Sequence, residues 1–512
     1  MGKKSAGVAE GAALLALSGI LCKILGVAFK VPLCNLGGGA VMADYSLAMS
    51  AFSFAMMAVT AGLPTAVAGE VAASPDRASR RGAVRAALWP AVLFGAAASG
   101  VLAVGAGAIA GWCGAPSAAN AIRAVAPGVF ACCAASVLRG GFQGQSRMLP
   151  TAAAQLLESV LRLAVGISLA RAFLQSDPAL ASAGALWGVT AGEWAALGLL
   201  TGWMLLSRRG EGPTPRVKVP FRRIFSVAAP LTAGALIHSA AGLADSAILL
   251  RRLAASGLTA AEAARRYGIF NGYCSTLYSF PPTLMGAVTA SLLPAVARRY
   301  ARFCAEPVGE LARRGITVCL LIALPCMAGY IAIPGPLLSL FFTRGEEVAM
   351  AAPLLAALAP GLVFLAIGGI SGAVLTATGG AARTTLATGI GCLARLMTTW
   401  LLAGDPSVGI FAAPLASVVC GGVTAMIQLS ALQKRGLLPD LHPLRWGVPL
   451  LCAGLCGTVA LGAWRVLRPT FGKNWAAVAA AACAAIAYTL ACLGTKTVKI
   501  GRKRLQFPYF KL

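Results

Sequence analysis

Long apolar runs separated by short polar or basic turns occupy almost the whole chain. A run of about 20 apolar residues matches the ~30 Å hydrocarbon core of a bilayer, so the pattern predicts helices that span it. Fourteen spans can be drawn. Four lie at about 8–33, 42–67, 86–110 and 118–138, and a fifth runs through Thr151 and Arg162. The others are at about 183–206, 224–250, 267–296, 315–333, 353–376, 383–402, 409–432, 444–466 and 475–493. No soluble stretch between them is long enough to form a domain of its own.

The fifth span departs most from simple apolarity. Thr151, Gln155, Glu158 and Arg162 follow one another by four, three and four residues, which puts them on one helical face. A Glu and an Arg at membrane depth are costly unless paired or facing water. Their separation of four allows a pair on their own helix. Other intramembrane charges follow the same logic. Lys23 and Lys30 are seven apart and share a face. Lys30 lies near enough to its span's end to snorkel. Lys23 is near mid-span, where insertion scales put the cost at about 2.5–3.5 kcal/mol. His238, Asp245 and Arg252 repeat by seven in the seventh span. Asp245 is a candidate for proton or sodium coupling, against the simpler reading of an ion pair with Arg252 or Lys23. Glu193 in the sixth span reads as a packing-face carboxylate. In the eighth, Tyr267, Asn271, Cys274 and Tyr278 form a stripe ahead of Pro281-Pro282, which must break or kink the helix.

The first stretch has a fainter echo. Thr151 and Arg162 recur as Thr384 and Arg395 at an offset of 233, and Leu63-Pro64 as Leu293-Pro294 at 230. This predicts a duplicated bundle: a six-helix bundle over 1–206, a linker over 207–223, a second bundle over 224–433, and two extra spans with a basic tail over 434–512. The echo is unequal, because Gly391 stands four residues before Arg395 where Glu158 precedes Arg162. The linker carries Arg208, Arg209, Arg216, Lys218, Arg222 and Arg223 among three prolines.

Composition agrees. The chain of 512 residues is 58% hydrophobic and 12% charged, which defines an all-α polytopic membrane protein. Its net charge of +27 lies mainly in short loops, so it indicates orientation and attraction to anionic lipid rather than nucleic acid. Lys3, Lys4, the arginines at 77–85 and the basic tail put both termini in the cytoplasm. Arg251, Arg252, Arg265 and Arg266 resist this scheme, falling in a loop that alternation places outside. The 15 cysteines form no CxxC pair and the two histidines are far apart, which predicts no metal site. No nucleotide-binding Gly-Lys loop and no catalytic triad pattern is present, so no enzyme is expected.

Several motifs resemble one family. RGGFQG followed by MLPTAAAQLLESVLRLAVG, LSGILCKILGVAFKVPLCNLGG in the first span, AGLPTAVA closing the second and LADSAILLRRL in the seventh resemble SpoVB-type and MurJ-type flippases. These belong to the multidrug/oligosaccharidyl-lipid/polysaccharide (MOP) exporter superfamily, and the likeness covers at least 11–432. It implies two MATE-like six-helix bundles plus a C-terminal pair which, in relatives, flanks a groove for a lipid tail. The implied function is translocation of an undecaprenyl-linked precursor. Lys23, Lys30, Arg162 and Arg252 are expected to meet the anionic head group, and Asp245 and Glu158 to couple or gate. The expected partners are a polyprenyl-linked anionic glycolipid and the bilayer, with the chain acting as a monomer. No cofactor is expected; an ion gradient or the membrane potential would drive the cycle. The alternatives are a cation-coupled drug exporter, whose cavity should be acidic or neutral, and a non-transporting envelope or spore assembly scaffold.

Overall fold

The computed structural model describes residues 2–207, 217, 219–302, 306–437, 444–495, 499–501 and 504–506. Arg208, Arg209, Arg216 and Lys218 of the linker, His442, and Lys496, Arg502 and Lys503 of the tail lie outside the described residues. The described chain is helical apart from short connections and one two-stranded hairpin, β1 (Lys499–Gly501) with β2 (Arg504–Gln506).

The chain divides into two compact units, Met1–Gly268 and Ile269–Leu512. The first contains α1 (Gly2–Thr60), α2 (Leu63–Ala73), α3 (Arg77–Val104), α4 (Ala106–Cys113), α5 (Ala119–Gly144), α6 (Leu149–Leu174), α7 (Pro178–Leu206), α8 (Phe221–Ala255) and most of α9 (Ala260–Ile269). A straight helix the length of α1 would be about 90 Å long, three times the hydrocarbon thickness. It breaks at Gly38, where φ is 62° and ψ −159°. Phe29 and Tyr45, 16 residues apart, bring their rings to 5.6 Å between centroids. In a straight helix they would be about 24 Å apart, so α1 is a hairpin of two spans. Glycine is required there because other residues are strained at such a φ.

Tight packing in this unit depends on small residues, as expected where lipid gives no hydrophobic drive for helices to associate. On α6 and α7, a methyl added to Gly188 would lie 2.3 Å from the Gly166 Cα. Helix α8, the expected opening of the second bundle, packs against α1, α2 and α4 and groups with the first unit.

The second unit begins with a π-helical turn over Phe270–Cys274, followed by α10 (Ser275–Tyr278) and α11 (Phe280–Arg302). The break thus falls at Ser279, with Pro281 and Pro282 in the first turn of α11, where a missing amide costs no helical bond. Then come α12 (Glu306–Ala332), α13 (Pro334–Ser339), α14 (Gly345–Leu358), α15 (Gly361–Ala377), α16 (Ala381–Leu402), α17 (Ala412–Gln433) and α18 (Leu444–Gly494). Helices α14 and α15 meet at a bend of 48° and are together long and apolar enough for one span. Helix α18 breaks at Gly472, and Cys452 Sγ lies 3.9 Å from Thr495 Oγ1, so it too folds back. It packs on α12 around Cys452, Cys456, Ala460, Ala484 and Tyr488.

Among the described residues, 11 helices are long and apolar enough to cross a membrane, or 12 with the bent pair. Counting the hairpins α1 and α18 twice gives 14, the number expected from the sequence.

One local expectation is corrected. Arg251 and Arg252 belong to the last turns of α8, and Arg265 and Arg266 to α9, where Glu262 pairs with both, at 3.5 and 2.8 Å. Only Ser256–Thr259 separates the two helices, so no long loop exists there. The chain between α3 and α5 continues as α4 and a 3-10 turn over Pro116–Ala118. Arg139 lies inside α5.

Candidate functional site

The polar stripe of α6 forms the centre of a charged cluster in the first unit. Glu158 accepts from Arg162 Nη2 at 3.0 Å, the pair that the spacing of four predicts. Its other oxygen accepts from Arg139 Nη2 on α5, at 3.1 Å. One carboxylate therefore bridges two guanidinium groups, and all three side chains are mostly buried. A third helix adds Glu193, only 3% exposed, whose Oε2 has no hydrogen-bond partner among the described residues. The Nε atoms of Arg139 and Arg162 are likewise buried without an acceptor among them. The other end of the stripe faces α1. Ser18 Oγ donates to Gln155 Oε1 at 3.5 Å, and Cys22 Sγ to the Gln155 carbonyl at 3.4 Å. The Thr151 hydroxyl is buried with no partner among the described residues.

Helix α1 supplies the two lysines. Lys23 is exposed and Lys30 is half-buried, with Arg162 among its near charges. Among the described residues neither pairs with a carboxylate, and no pair joins Lys23 to Asp245. Three cations, Lys30, Arg139 and Arg162, thus accompany two carboxylates, Glu158 and Glu193, while Lys23 lies exposed seven residues before Lys30 on α1. With all groups ionised the balance of the cluster is +1 (3 − 2), in a segment that must lie at membrane depth.

Asp245 and Arg252 are placed separately. They lie on α8, Asp245 buried and Arg252 half-buried, and both are engaged in interactions. Next to Asp245, Ser246 Oγ accepts from Tyr267 Oη at 2.8 Å. The fold therefore brings Glu158 and Arg162 together, sets Lys30 beside them, and leaves Asp245 and Arg252 on another element.

Sequence reasoning missed Arg139 as a member of the cluster. Its signal was its place at the head of the RGGFQG motif. Arg395, the echo of Arg162, is half-buried on α16 in the second unit. At the Glu158-equivalent position, a side-chain carbon on Gly391 would meet Thr424 Oγ1 at 2.1 Å and the Cys420 carbonyl at 2.9 Å. Among the described residues, no group of three or more His, Cys, Asp or Glu is placed to hold a metal ion.

Comparison with known proteins agrees with this architecture. A family profile described as polysaccharide biosynthesis protein matches residues 8–299, and one described as lipid II flippase MurJ matches residues 163–489. The chain is 25% identical over 499 residues to the uncharacterized membrane protein YabM of Bacillus subtilis (strain 168), covering 95% of this chain and 92% of that protein. It is also 25% identical over 352 residues to stage V sporulation protein B of the same organism, covering 66% of each. Among solved structures, lipid II flippase MurJ in an inward closed conformation superimposes with a TM-score of 0.73 at 13% identity, covering 94% of this chain and 98% of that one. An inward-facing multidrug resistance MATE transporter gives 0.66 at 16% identity, covering 81% and 96%. The chain therefore belongs to the polysaccharide biosynthesis and MurJ-type flippase family of the MOP superfamily, and is a multi-pass membrane transporter rather than an enzyme.

Proposed function

We propose that the chain flips an undecaprenyl-(pyro)phosphate-linked cell-wall or polysaccharide precursor, lipid II-like in its chemistry, from the inner to the outer leaflet by alternating access. The observation that carries this reading is the surplus of positive charge at membrane depth. Two lysines without carboxylate partners lie on the helix that packs against the Arg139–Glu158–Arg162 bridge. Uncompensated cations in a low-dielectric region are unfavourable, and an anionic ligand removes that cost. A phosphorylated head group meets this need, while a cation-accepting drug exporter calls for the opposite sign. Lys23, Lys30 and Arg162, with Arg252 further along the path, contact the phosphates. Arg139 holds Glu158 in place, and Glu158 and Asp245 are the groups whose partners change as the path opens and closes. The chain works as a monomer with both termini in the cytoplasm, driven by an ion gradient or the membrane potential.

The test is replacement of an essential flippase. A bacterium depleted of its own lipid II flippase receives this protein, and surface-exposed lipid II is assayed. Wild-type protein is expected to restore exposure, and Lys23→Ala to lose most of it. No rescue by a well-inserted wild-type protein rules out a lipid II-like cargo. Full rescue by Lys23→Ala rules out the basic path.

A further inference from the structure

Outside the charged cluster, the first unit holds a polar pocket of about 270 Å³ where the start of α3 meets the ends of α5 and α7. Arg77, Arg80 and Arg81 line it from α3, Gln145 and Arg147 from the turn after α5, and Ser207 from the end of α7. Steps of three and one put the three α3 arginines on one helical face. Val84, Phe142 and Met204 make the apolar part of the wall. Basic residues that only mark one side of a membrane need no crevice. Here they enclose one, while Arg85, exposed on the same helix, stands outside it. The pocket is remote from the Glu158 bridge, since Ser207 lies 14 residues (207 − 193), about 21 Å, along α7 from Glu193.

Local structure fixes the walls without using the arginines as caps. Arg80 is half-buried, and its Nε donates to the Ser74 carbonyl at 3.3 Å. Helix α5 ends at Ser146, which is left-handed with φ 58°. The Arg147 amide donates to the Phe142 carbonyl at 3.0 Å and the Ser146 amide to the Gln143 carbonyl at 2.9 Å, the two bonds of a Schellman turn. Gln145 Nε2 takes the Gly141 carbonyl at 3.0 Å. The last carbonyls of α5 are thus satisfied by backbone and Gln145. The ends of α5 and α7 bring roughly half a negative charge each; against them stand Arg77 and Arg81, both engaged in interactions of their own. Arg80 and Arg147, on opposite walls, pair with no carboxylate among the described residues.

The structure assigns this pocket as a binding site for a phosphate monoester, its oxygens shared between Arg80 on α3 and Arg147 beyond α5. Guanidinium groups meet phosphate oxygens through paired, charge-assisted hydrogen bonds. Charge selects the ester: a monoester carries about −1.5 to −2 at neutral pH, which matches two guanidinium groups, whereas a phosphodiester carries a single negative charge. Size agrees, because the volume falls just under the roughly 300 Å³ at which small-molecule pockets begin and so suits a head group. This chemistry has two sources, a phosphomonoester lipid of the adjoining leaflet and a soluble phosphate ester. Bound there, the phosphate ties the start of α3 to the end of α5. The site stands independently of the proposed flippase function.

The test uses the full-length protein in phosphatidylcholine nanodiscs, titrated calorimetrically with glycerol 3-phosphate, a soluble monoester, and with glycerophosphoglycerol, its diester counterpart. A second arm replaces part of the phosphatidylcholine with phosphatidic acid or with phosphatidylglycerol. Native mass spectrometry then reads which lipid stays on the released protein. In at least one arm the monoester is expected to bind several-fold more tightly than the diester. Arg80→Gln and Arg147→Gln should each weaken that binding about tenfold or more, as the loss of a hydrogen bond to a charged group does. Arg85→Gln should leave it unchanged. Binding of glycerol 3-phosphate admits the soluble source; retention of phosphatidic acid without it assigns the lipid. Equal binding of monoester and diester overturns the assignment, as does the absence of monoester binding in both arms. An equal loss in Arg85→Gln also overturns it, leaving only diffuse surface charge. If Arg80→Gln fails to fold, Arg147→Gln, at an exposed position, decides alone.

Discussion

Glu158 carries more of the site than its helical spacing suggests. It satisfies one nitrogen on each of two arginines, so its removal leaves two guanidinium groups short of an acceptor. Leaving a buried donor unsatisfied costs about 1–3 kcal/mol, and more for charged groups. Glu158→Ala is therefore expected to destabilise the detergent-solubilised protein by at least that range. Glu193→Gln, which keeps the shape of the side chain and leaves both bonds of the Glu158 bridge in place, should cost less than Glu158→Ala. Equal losses in a thermal unfolding assay would refute the bridging role. Outside the membrane, Asp76 caps α3. It accepts from the Ala78 and Ser79 amides at 3.2 and 3.3 Å, and from the Ser79 hydroxyl. That hydroxyl bond, with the amide bonds, holds the carboxyl below its ordinary range. A lowered folded value means the cap stabilises above the ordinary carboxylate pKa of about 4 and is lost as pH falls through the folded value. Amide exchange in the first turn of α3, corrected for intrinsic rates, should accelerate as pH falls below about 4. Asp76→Asn keeps an acceptor without a titrating group and should flatten that response. If both proteins respond alike, the cap is not the cause.

At the level of elements, the contact between α6 and α7 sets the cluster's geometry, because these helices carry Glu158, Arg162 and Glu193. Their closest approach is at Gly166 and Gly188, where any added carbon overlaps backbone. Gly188→Ala is expected to cost about 1–3 kcal/mol through overpacking. Gly198→Ala, on the same helix with nothing within 4 Å of the new carbon, should be neutral or stabilising by up to about 1 kcal/mol through helix propensity. Matching melting temperatures for the two would refute the close-approach argument. The same reasoning accounts for what the sequence made legible. Spans are long and their apolar character is summed over many residues, so their number and order could be read directly. The pairing of Glu158 with Arg162 was legible because both lie on one helix. The places of Arg139 and Glu193 in the cluster were not, because they lie on other helices than Glu158, and a one-dimensional period carries no information across helices. The reversals near residues 38 and 472 were legible as boundaries between spans, but the residues that turn the chain, Gly38 and Gly472, were not, since each is a single glycine in a glycine-rich context. Gly391 shows the limit of the internal repeat. The α16–α17 contact leaves no room at Gly391 for the carboxylate that the expected repeat would place four residues before Arg395.

For the whole molecule the decisive quantity is charge carried across the membrane. Lys23 and the cations of the cluster are covalently held and move only as far as the helices do, while the proposed cargo takes its phosphates from one leaflet to the other. An inside-negative potential drives anions outward at ~2.3 kcal/mol per elementary charge per 100 mV. Imposing such a potential on proteoliposomes with a potassium gradient and valinomycin is therefore expected to accelerate outward flipping of the phosphorylated lipid. Reversing the gradient should slow it. The Lys23→Ala variant adds a second arm. If the motion of α1 carries Lys23 through part of the field along with the head group, removing it leaves more net negative charge to move. The residual rate of Lys23→Ala should then depend more steeply on potential than that of wild type. A wild-type rate indifferent to potential would mean that the loaded carrier is electroneutral, leaving an ion gradient or the cargo's own gradient as the driving force.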